Sequence, residues 1–185
     1  MASRISPSSV VVIACGALAR ELLDVVQTNR WNHVRVTCLP AGLHNRPEKS
    51  PDAVRSAIRQ HRNGFTRIFV AYGDCGTGGL LDKVLSEEGV DRLPGAHCYE
   101  FLSGSAEFSK LHEQEPGTFF LTDFLVRHFD SLVMRGLGID QHPELMPLYF
   151  GNYHKLIYLA QRHDDELMQR AHRAAQQLGL ELEIR

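Results

Sequence analysis

The sequence predicts an α/β fold: one domain with a four- or five-stranded, mostly parallel sheet, helices on both faces and extra C-terminal helices. Two observations support this fold class. Short runs of β-branched and other apolar residues alternate with stretches whose apolar residues recur at helical spacing. Most of the apolar runs end near glycine or proline, the residues that form turns between strands and helices. This alternation favours parallel strands joined by right-handed crossovers.

The first half of the chain has the clearest alternation. The run that starts at Val10 is apolar throughout, as expected of a strand buried on both faces. Pro51 stands near the start of a helical pattern, where proline is tolerated. The strands predicted here cover residues 10–14, 34–39, 67–72 and 91–94. The helices predicted here cover residues 17–27, 50–62 and 80–88.

The second half is richer in helical patterns. Gly179 follows the last amphipathic stretch and is expected to cap it. The helices predicted in this half cover residues 101–111, 123–134, 142–161 and 164–178. Further strands are predicted at residues 115–121 and 180–184. We expect residues 1–9 to form a flexible leader and residues 10–185 to form a single α/β domain.

Composition excludes several classes of protein. With 20 Lys and Arg against 22 Asp and Glu, the net charge of −2 argues against a basic nucleic-acid surface. No apolar run approaches the roughly 20 residues that span a bilayer, and the N-terminus lacks the apolar core of a secretory signal. We therefore expect a cytoplasmic protein that binds neither nucleic acid nor membrane. In that compartment its 4 cysteines are expected to be core residues, metal ligands or reactive thiols.

Three of the cysteines follow predicted strands: Cys15, Cys75 and Cys98. His44 lies in the loop after the second strand, and His97 stands beside Cys98. The carboxyl ends of parallel strands meet at one edge of a sheet, which is where such folds bind ligands. We therefore expect these side chains to lie close together.

Three thiols and an imidazole are soft ligands, which favour zinc or an iron–sulfur cluster. The predicted metal ligands are Cys15, His44, Cys75 and Cys98. Asp74 and His97 are the predicted catalytic or acid–base residues, with Asp74 supporting the ligands. Cys38 stands inside a predicted strand and is expected to be a core residue. The residues leave zinc, a cluster and no metal open.

The glycine-rich segment 73–79 is a second candidate for ligand binding. Glycines allow close backbone approach, and N–H groups at a helix start can hold an anion. The residues predicted to bind a cofactor or small anionic ligand are Gly73, Gly76, Thr77 and Gly78. The segment matches neither the P-loop nor the Gly-x-Gly-x-x-Gly pattern. A tight turn, with Asp74 as a helix cap, is the alternative.

Five motifs stand in order along the chain: CGALARE, LPAGLHNRP, YGDCGTGG, HCYE and PGTFFLTD. In this combination the chain resembles, from about residue 9 to 180, a family of uncharacterised bacterial and archaeal proteins catalogued as a domain of unknown function. Members of that family are often associated with corrinoid-dependent methyltransferases of methylamine and one-carbon metabolism. The resemblance implies a corrinoid protein or methyltransferase as partner, and no settled reaction.

Three hypotheses for function follow. The first is a metal- or cluster-dependent enzyme or accessory protein of one-carbon methyl transfer, where the metal activates a thiolate. The second is a module that binds a small molecule or a corrinoid without catalysis. The third is a metal-free thiol enzyme with Cys75 as nucleophile at a helix N-terminus. A small-molecule ligand is expected in each case.

Overall fold

The computed structural model describes residues 9–185 and confirms the α/β class. Its tertiary contacts group the chain into two compact units, one ending at Cys98 and the other comprising Tyr99–Arg185. Each unit contains a parallel sheet of its own. A single domain over residues 10–185 stays a prediction. Of the expected leader only Ser9 lies among the described residues, and it is buried.

The first unit is built on a four-stranded parallel sheet, as predicted. Its strands are β1 (Val10–Cys15), β2 (Val34–Leu39), β3 (Arg67–Ala71) and β4 (Asp91–Arg92), in the spatial order β2-β1-β3-β4. In the register, Ala14 lies beside Cys38 on one side and beside Ala71 on the other. The carboxyl ends of β1, β2 and β3 therefore reach the same edge of the sheet.

Three helices accompany this sheet: α1 (Ala19–Thr28), α2 (Ser50–His61) and α3 (Leu80–Glu88). The core of the unit joins β1 and β3 to α2 and α3 through Ile13, Val54, Ile58, Val70, Leu81 and Leu85. Glu88 at the end of α3 accepts hydrogen bonds from Arg59 and Arg62 on and just after α2, both at 2.9 Å. Apolar packing and these ion pairs together hold α3, and the loop that precedes it, against the sheet.

The second unit is built on a three-stranded parallel sheet of β5 (Thr118–Thr122), β6 (Lys155–Leu159) and β7 (Glu181–Ile184), in that order. Its helices are α4 (Tyr99–Ser103), α5 (Ser105–Gln114), α6 (Asp123–Arg127), α7 (Met146–Phe150) and α8 (Asp165–Leu178). Asp123, almost fully buried, accepts a hydrogen bond from the Tyr158 hydroxyl at 2.8 Å and one from the Gln161 N–H at 3.0 Å. This carboxylate ties the ends of β5 and β6 together.

The prediction of one helix over residues 142–161 is wrong, because β6 occupies its last third. Gly151 ends α7, and a Cβ there would lie 2.4 Å from the Pro147 carbonyl oxygen. The other difference concerns sheet number: β5 and β7 pair with β6 and not with the first sheet. Within residues 9–185, no helix has both the length and the apolar character needed to cross a membrane.

Candidate functional site

The site lies where the strand order of the first sheet reverses. The chain leaves β1 for β2 on one side and then returns past β1 to form β3 on the other. In open parallel sheets, ligands bind at the carboxyl ends of the strands beside such a switch point. Cys15 is the last residue of β1, and Cys75 is the fourth residue after the end of β3. The topology therefore brings both sulfur-bearing positions to the predicted binding edge.

Two backbone hydrogen bonds join the loop after β3 to the loop after β4. The Asp74 N–H donates to the Gly95 carbonyl at 3.1 Å, and the Cys75 N–H donates to the Ala96 carbonyl at 2.7 Å. They extend the pairing of β3 with β4 past the point where the two-residue β4 ends. The segments that carry Cys75 and Cys98 are held side by side as a result.

Gly73 permits this close approach. A Cβ atom at position 73 would lie 2.8 Å from the His97 carbonyl carbon and 3.0 Å from the Cys98 nitrogen. Both are backbone atoms, which cannot rotate away as the end of a flexible side chain could. Position 73 therefore requires glycine for lack of space, and the loop with His97 and Cys98 packs directly on it.

The Arg92 side chain holds the loop after β4 in place. Its guanidinium donates hydrogen bonds to the Leu93 carbonyl at 2.7 Å and to the Gly95 carbonyl at 3.0 Å. The same group forms an ion pair with Asp82 of α3. One side chain thus links α3, the end of β4 and the loop that leads to Cys98, and it places a positive charge near the sulfur atoms.

Cys75 is the centre of the site. Its φ of 47° lies in the left-handed region, which a non-glycine residue seldom adopts. The Cys98 thiol and the His44 and His97 side chains interact with its sulfur. The Cys98 thiol, and then the two imidazoles acting against the cost of burial, hold the pKa of Cys75 far below its ordinary value. These neighbours therefore favour the thiolate form of Cys75 over the thiol.

The other two thiols of the site stay protonated. The negative sulfur of Cys75, together with burial, raises the pKa of Cys98 well above its ordinary value. Burial is the main cause that raises the pKa of Cys15, and the Cys75 charge adds to it. Tyr72 interacts with Cys15, and burial together with that neighbour raises the pKa of its phenol. The arrangement concentrates one negative charge on Cys75.

The glycine-rich loop is organised around Asp74. The carboxylate of Asp74 accepts hydrogen bonds from the Thr77 hydroxyl, from the Gly78 N–H at 3.1 Å and from the Gly79 N–H at 3.0 Å. Although partial burial raises it, these donors produce a net lowering of the pKa of Asp74. An external anion would have to compete with Asp74 for the Gly78 amide. The geometry gives Asp74 a loop-bracing role, while its predicted catalytic role stays a prediction.

The same holds for the predicted ligand residues of this loop, Gly73, Gly76, Thr77 and Gly78. Thr77 both donates to Asp74 and accepts a hydrogen bond from the Leu81 N–H at 3.3 Å, so its hydroxyl provides an acceptor for an amide in the first turn of α3. Gly76, with a φ of 87°, lies against Pro47 from the loop after β2. These contacts account for the residues structurally, and a bound cofactor at the loop stays a prediction.

The structure brings together His44, Cys75, His97 and Cys98, and Cys15 lies within electrostatic range of Cys75. The expectation that Cys38 is a core residue is wrong: its strand β2 is at the edge of the sheet, and Cys38 is exposed. Among the described residues, no three or more His, Cys, Asp or Glu side chains are arranged so that they could hold a metal ion. The donor types fit a soft metal but the spacing does not, so zinc or a cluster at Cys15, His44, Cys75 and Cys98 stays a prediction.

Sequence reasoning missed two contributors to the site, Tyr72 and Arg92. Tyr72 directly follows β3 and precedes Gly73, so its place in the chain was a usable signal. No such signal identifies Arg92, because an arginine in a short strand is typical of the solvent-exposed edge of a sheet. Its role depends on three carbonyl and carboxylate partners that only the folded chain assembles.

Comparison with known families gives one match. The family described as "Protein of unknown function (DUF1638)" matches residues 38–185. The chain belongs to this family. The match includes His44, Cys75, His97 and Cys98, and it begins after Cys15. No curated protein and no solved structure matches the chain.

Proposed function

We propose that the protein acts through Cys75 as a thiolate that accepts an alkyl group from an electrophilic substrate. The observation that carries the proposal is the set of donors around this one sulfur: the Cys98 thiol and the His44 and His97 side chains. A thiolate is the nucleophilic form of cysteine, and nearby hydrogen-bond donors make it available at neutral pH.

The chemistry of the site follows from its parts. The Cys75 sulfur attacks the carbon of the substrate, a carbon–sulfur bond forms, and the leaving group departs with its electron pair. The His97 and His44 side chains donate to the sulfur before the attack and can protonate a leaving group after it. Cys98 is buried and carries its proton, so it donates to Cys75 without competing as nucleophile.

A methylated corrinoid is the alkyl donor that we propose, on a partner corrinoid protein or methyltransferase. In the balanced step the methyl group passes from methyl-cobalt(III) to the thiolate, and the electron pair of the cobalt–carbon bond remains on cobalt(I). The support for this partner is the family resemblance in the motifs around Cys15, His44, Cys75 and Cys98. A cytoplasmic location, which the sequence predicts, would keep these thiols reduced.

The pH dependence of alkylation tests this proposal. We expect iodoacetamide to modify Cys75 at a rate that stays nearly constant as the pH falls from about 8 to about 6, because the thiolate persists below the ordinary thiol pKa. The exposed Cys38 is the internal control, and its rate should fall about tenfold per pH unit. Peptide mass spectrometry follows each site, and anaerobic incubation with methylcobalamin should add one methyl group at Cys75.

Variants of the two imidazoles complete this test. His44→Gln and His97→Gln each weaken the donation to sulfur, so the alkylation rate of Cys75 should begin to fall at a higher pH than in the parent protein. Cys38→Ser is the matched control and should leave the Cys75 profile unchanged. A Cys75 profile that follows that of Cys38 in the parent protein would refute the proposal.

Metal binding is the second candidate, favoured by the donor types of His44, Cys75 and Cys98, since imidazoles and thiols are ligands for soft metals. The two candidates make opposite predictions for protein purified without oxygen. For a free thiolate we expect less than about a tenth of an equivalent of metal and no effect of a chelator on Cys75 alkylation. About one zinc per chain, or iron with matching sulfide, and alkylation that begins only after chelation would establish the metal site instead.

A further inference from the structure

The backbone holds the two cysteines at the centre of the site side by side. The Cys75 N–H donates to the Ala96 carbonyl at 2.7 Å, and a Cβ atom at Gly73 would lie 3.0 Å from the Cys98 nitrogen. The carbonyls of Gly95 and Ala96 accept from Asp74 and Cys75, so the two loops cannot separate without breaking main-chain hydrogen bonds. Thiols on two loops that are hydrogen-bonded to each other need only a small movement to form a bond between their sulfur atoms.

The exposure of the two sulfurs differs. Cys75 is partly exposed, whereas Cys98 is buried. A small oxidant from solvent therefore reaches Cys75 first, because Cys98 is buried. Cys15, the other buried thiol, interacts with Tyr72 and lies beyond direct donation to Cys75, so it is the poorer partner. This difference in exposure suits Cys75 to be the thiol that reacts with the oxidant and Cys98 to be the resolving thiol.

We propose that Cys75 and Cys98 form a peroxide-reactive dithiol that closes to an intramolecular disulfide. In the first step the Cys75 thiolate attacks one oxygen of a hydroperoxide, the O–O bond breaks, and the alcohol or water leaves as Cys75 becomes a sulfenic acid. In the second step the negative charge that kept Cys98 protonated is gone, so the Cys98 sulfur attacks the Cys75 sulfur. The Cys98 proton leaves with the hydroxyl of the sulfenic acid as water, and the disulfide forms. Two thiols are oxidised and one peroxide is reduced. The inference shares with the proposed function only the choice of Cys75, the more exposed of the two cysteines, as the attacking group.

Formation of this disulfide makes alkyl transfer at the site depend on the redox state of Cys75 and Cys98. In the disulfide, Cys75 has no thiolate to offer an electrophile, so alkyl transfer stops until a thiol reductant restores both cysteines. Cys75 is thus protected from the irreversible sulfinic and sulfonic acids, because the buried neighbour consumes the sulfenic acid.

Treatment of the reduced full-length chain with hydrogen peroxide tests the inference. We expect the loss of two of the 4 thiols and a peptide pair in which Cys75 and Cys98 are linked and lack two hydrogens. In Cys98→Ser, the Cys75 sulfenic acid should persist and be trapped by dimedone. Cys38→Ser should behave as the parent protein. The linked peptide is measured in the parent protein, so this part of the test does not depend on a variant that folds.

Two results would overturn the inference. One is a parent protein in which Cys75 passes to sulfinic acid without any link to Cys98. The other is a disulfide between Cys75 and Cys15 in place of Cys98. The pH profile of alkylation separates this failure from failure of the proposed function. A flat profile without a disulfide refutes only the dithiol, whereas a profile like that of Cys38 refutes the proposed thiolate.

Discussion

Replacing Asp123 with alanine is expected to destabilise the protein by about 2–4 kcal/mol, since one buried and one partly buried donor lose their acceptor. The donors are the hydroxyl of the fully buried Tyr158 and the N–H of Gln161, just after β6. The Tyr158 hydroxyl has no access to water in place of Asp123. Urea unfolding followed by circular dichroism gives the free energy, and the slope should stay near that of the parent protein.

Two further variants separate the effect of the lost hydrogen bonds from the effect of the lost charge on stability. Asp165→Ala removes an exposed carboxylate at the start of α8 and should change stability by less than about 0.5 kcal/mol. Tyr158→Phe removes one donor together with its need for a partner, so it should cost less than Asp123→Ala. A loss in Asp123→Ala no greater than in Asp165→Ala would contradict the role given to Asp123.

Replacing Gly73 with valine is expected to have the largest effect on the candidate site. The added Cβ would lie 2.8 Å from the His97 carbonyl carbon, so the backbone of one loop must move. Overpacking of this kind costs about 1–3 kcal/mol. The movement also separates Cys98 from Cys75, and the pKa of Cys75 should return toward its ordinary value. Alkylation of Cys75 at low pH should then slow as it does for an ordinary thiol.

Gly42 provides the matched control for this substitution. Among the described residues, no atom lies within 4 Å of a Cβ built at position 42. Gly42→Ala should therefore leave both the free energy of unfolding and the Cys75 profile within error of the parent protein. If Gly73→Val keeps the flat alkylation profile, the close packing of the two loops is not what holds the thiolate.

Much of the first unit was predictable because its signals are local. The bounds of β2 and α3 agree with the predicted 34–39 and 80–88, where apolar runs end at proline or glycine. The meeting of His44, Cys75 and Cys98 followed from topology alone, since parallel strands end at one edge. These residues could be grouped without any knowledge of side-chain geometry.

The errors arose where a residue's environment depends on distant neighbours. The position of Cys38 inside a strand predicts a core residue, but the sequence does not say that β2 lies at the sheet edge. The run in β6 is too short for its period to distinguish a strand from a buried helix. The amides of the glycine-rich loop looked available for an anion, yet the neighbouring Asp74 takes two of them.

The brevity of β4 has a consequence for the lifetime of the sulfur contact. Cys75 follows a strand paired along its length with β1, whereas Cys98 follows a strand of two residues. Local opening is cheapest where few main-chain bonds must break. Opening of the Cys98 loop breaks the Arg92 hydrogen bonds and the two main-chain bonds from Asp74 and Cys75, but it leaves the pairing of β1 with β3 closed. These few bonds, and not the rest of the sheet, therefore set the lifetime of the contact.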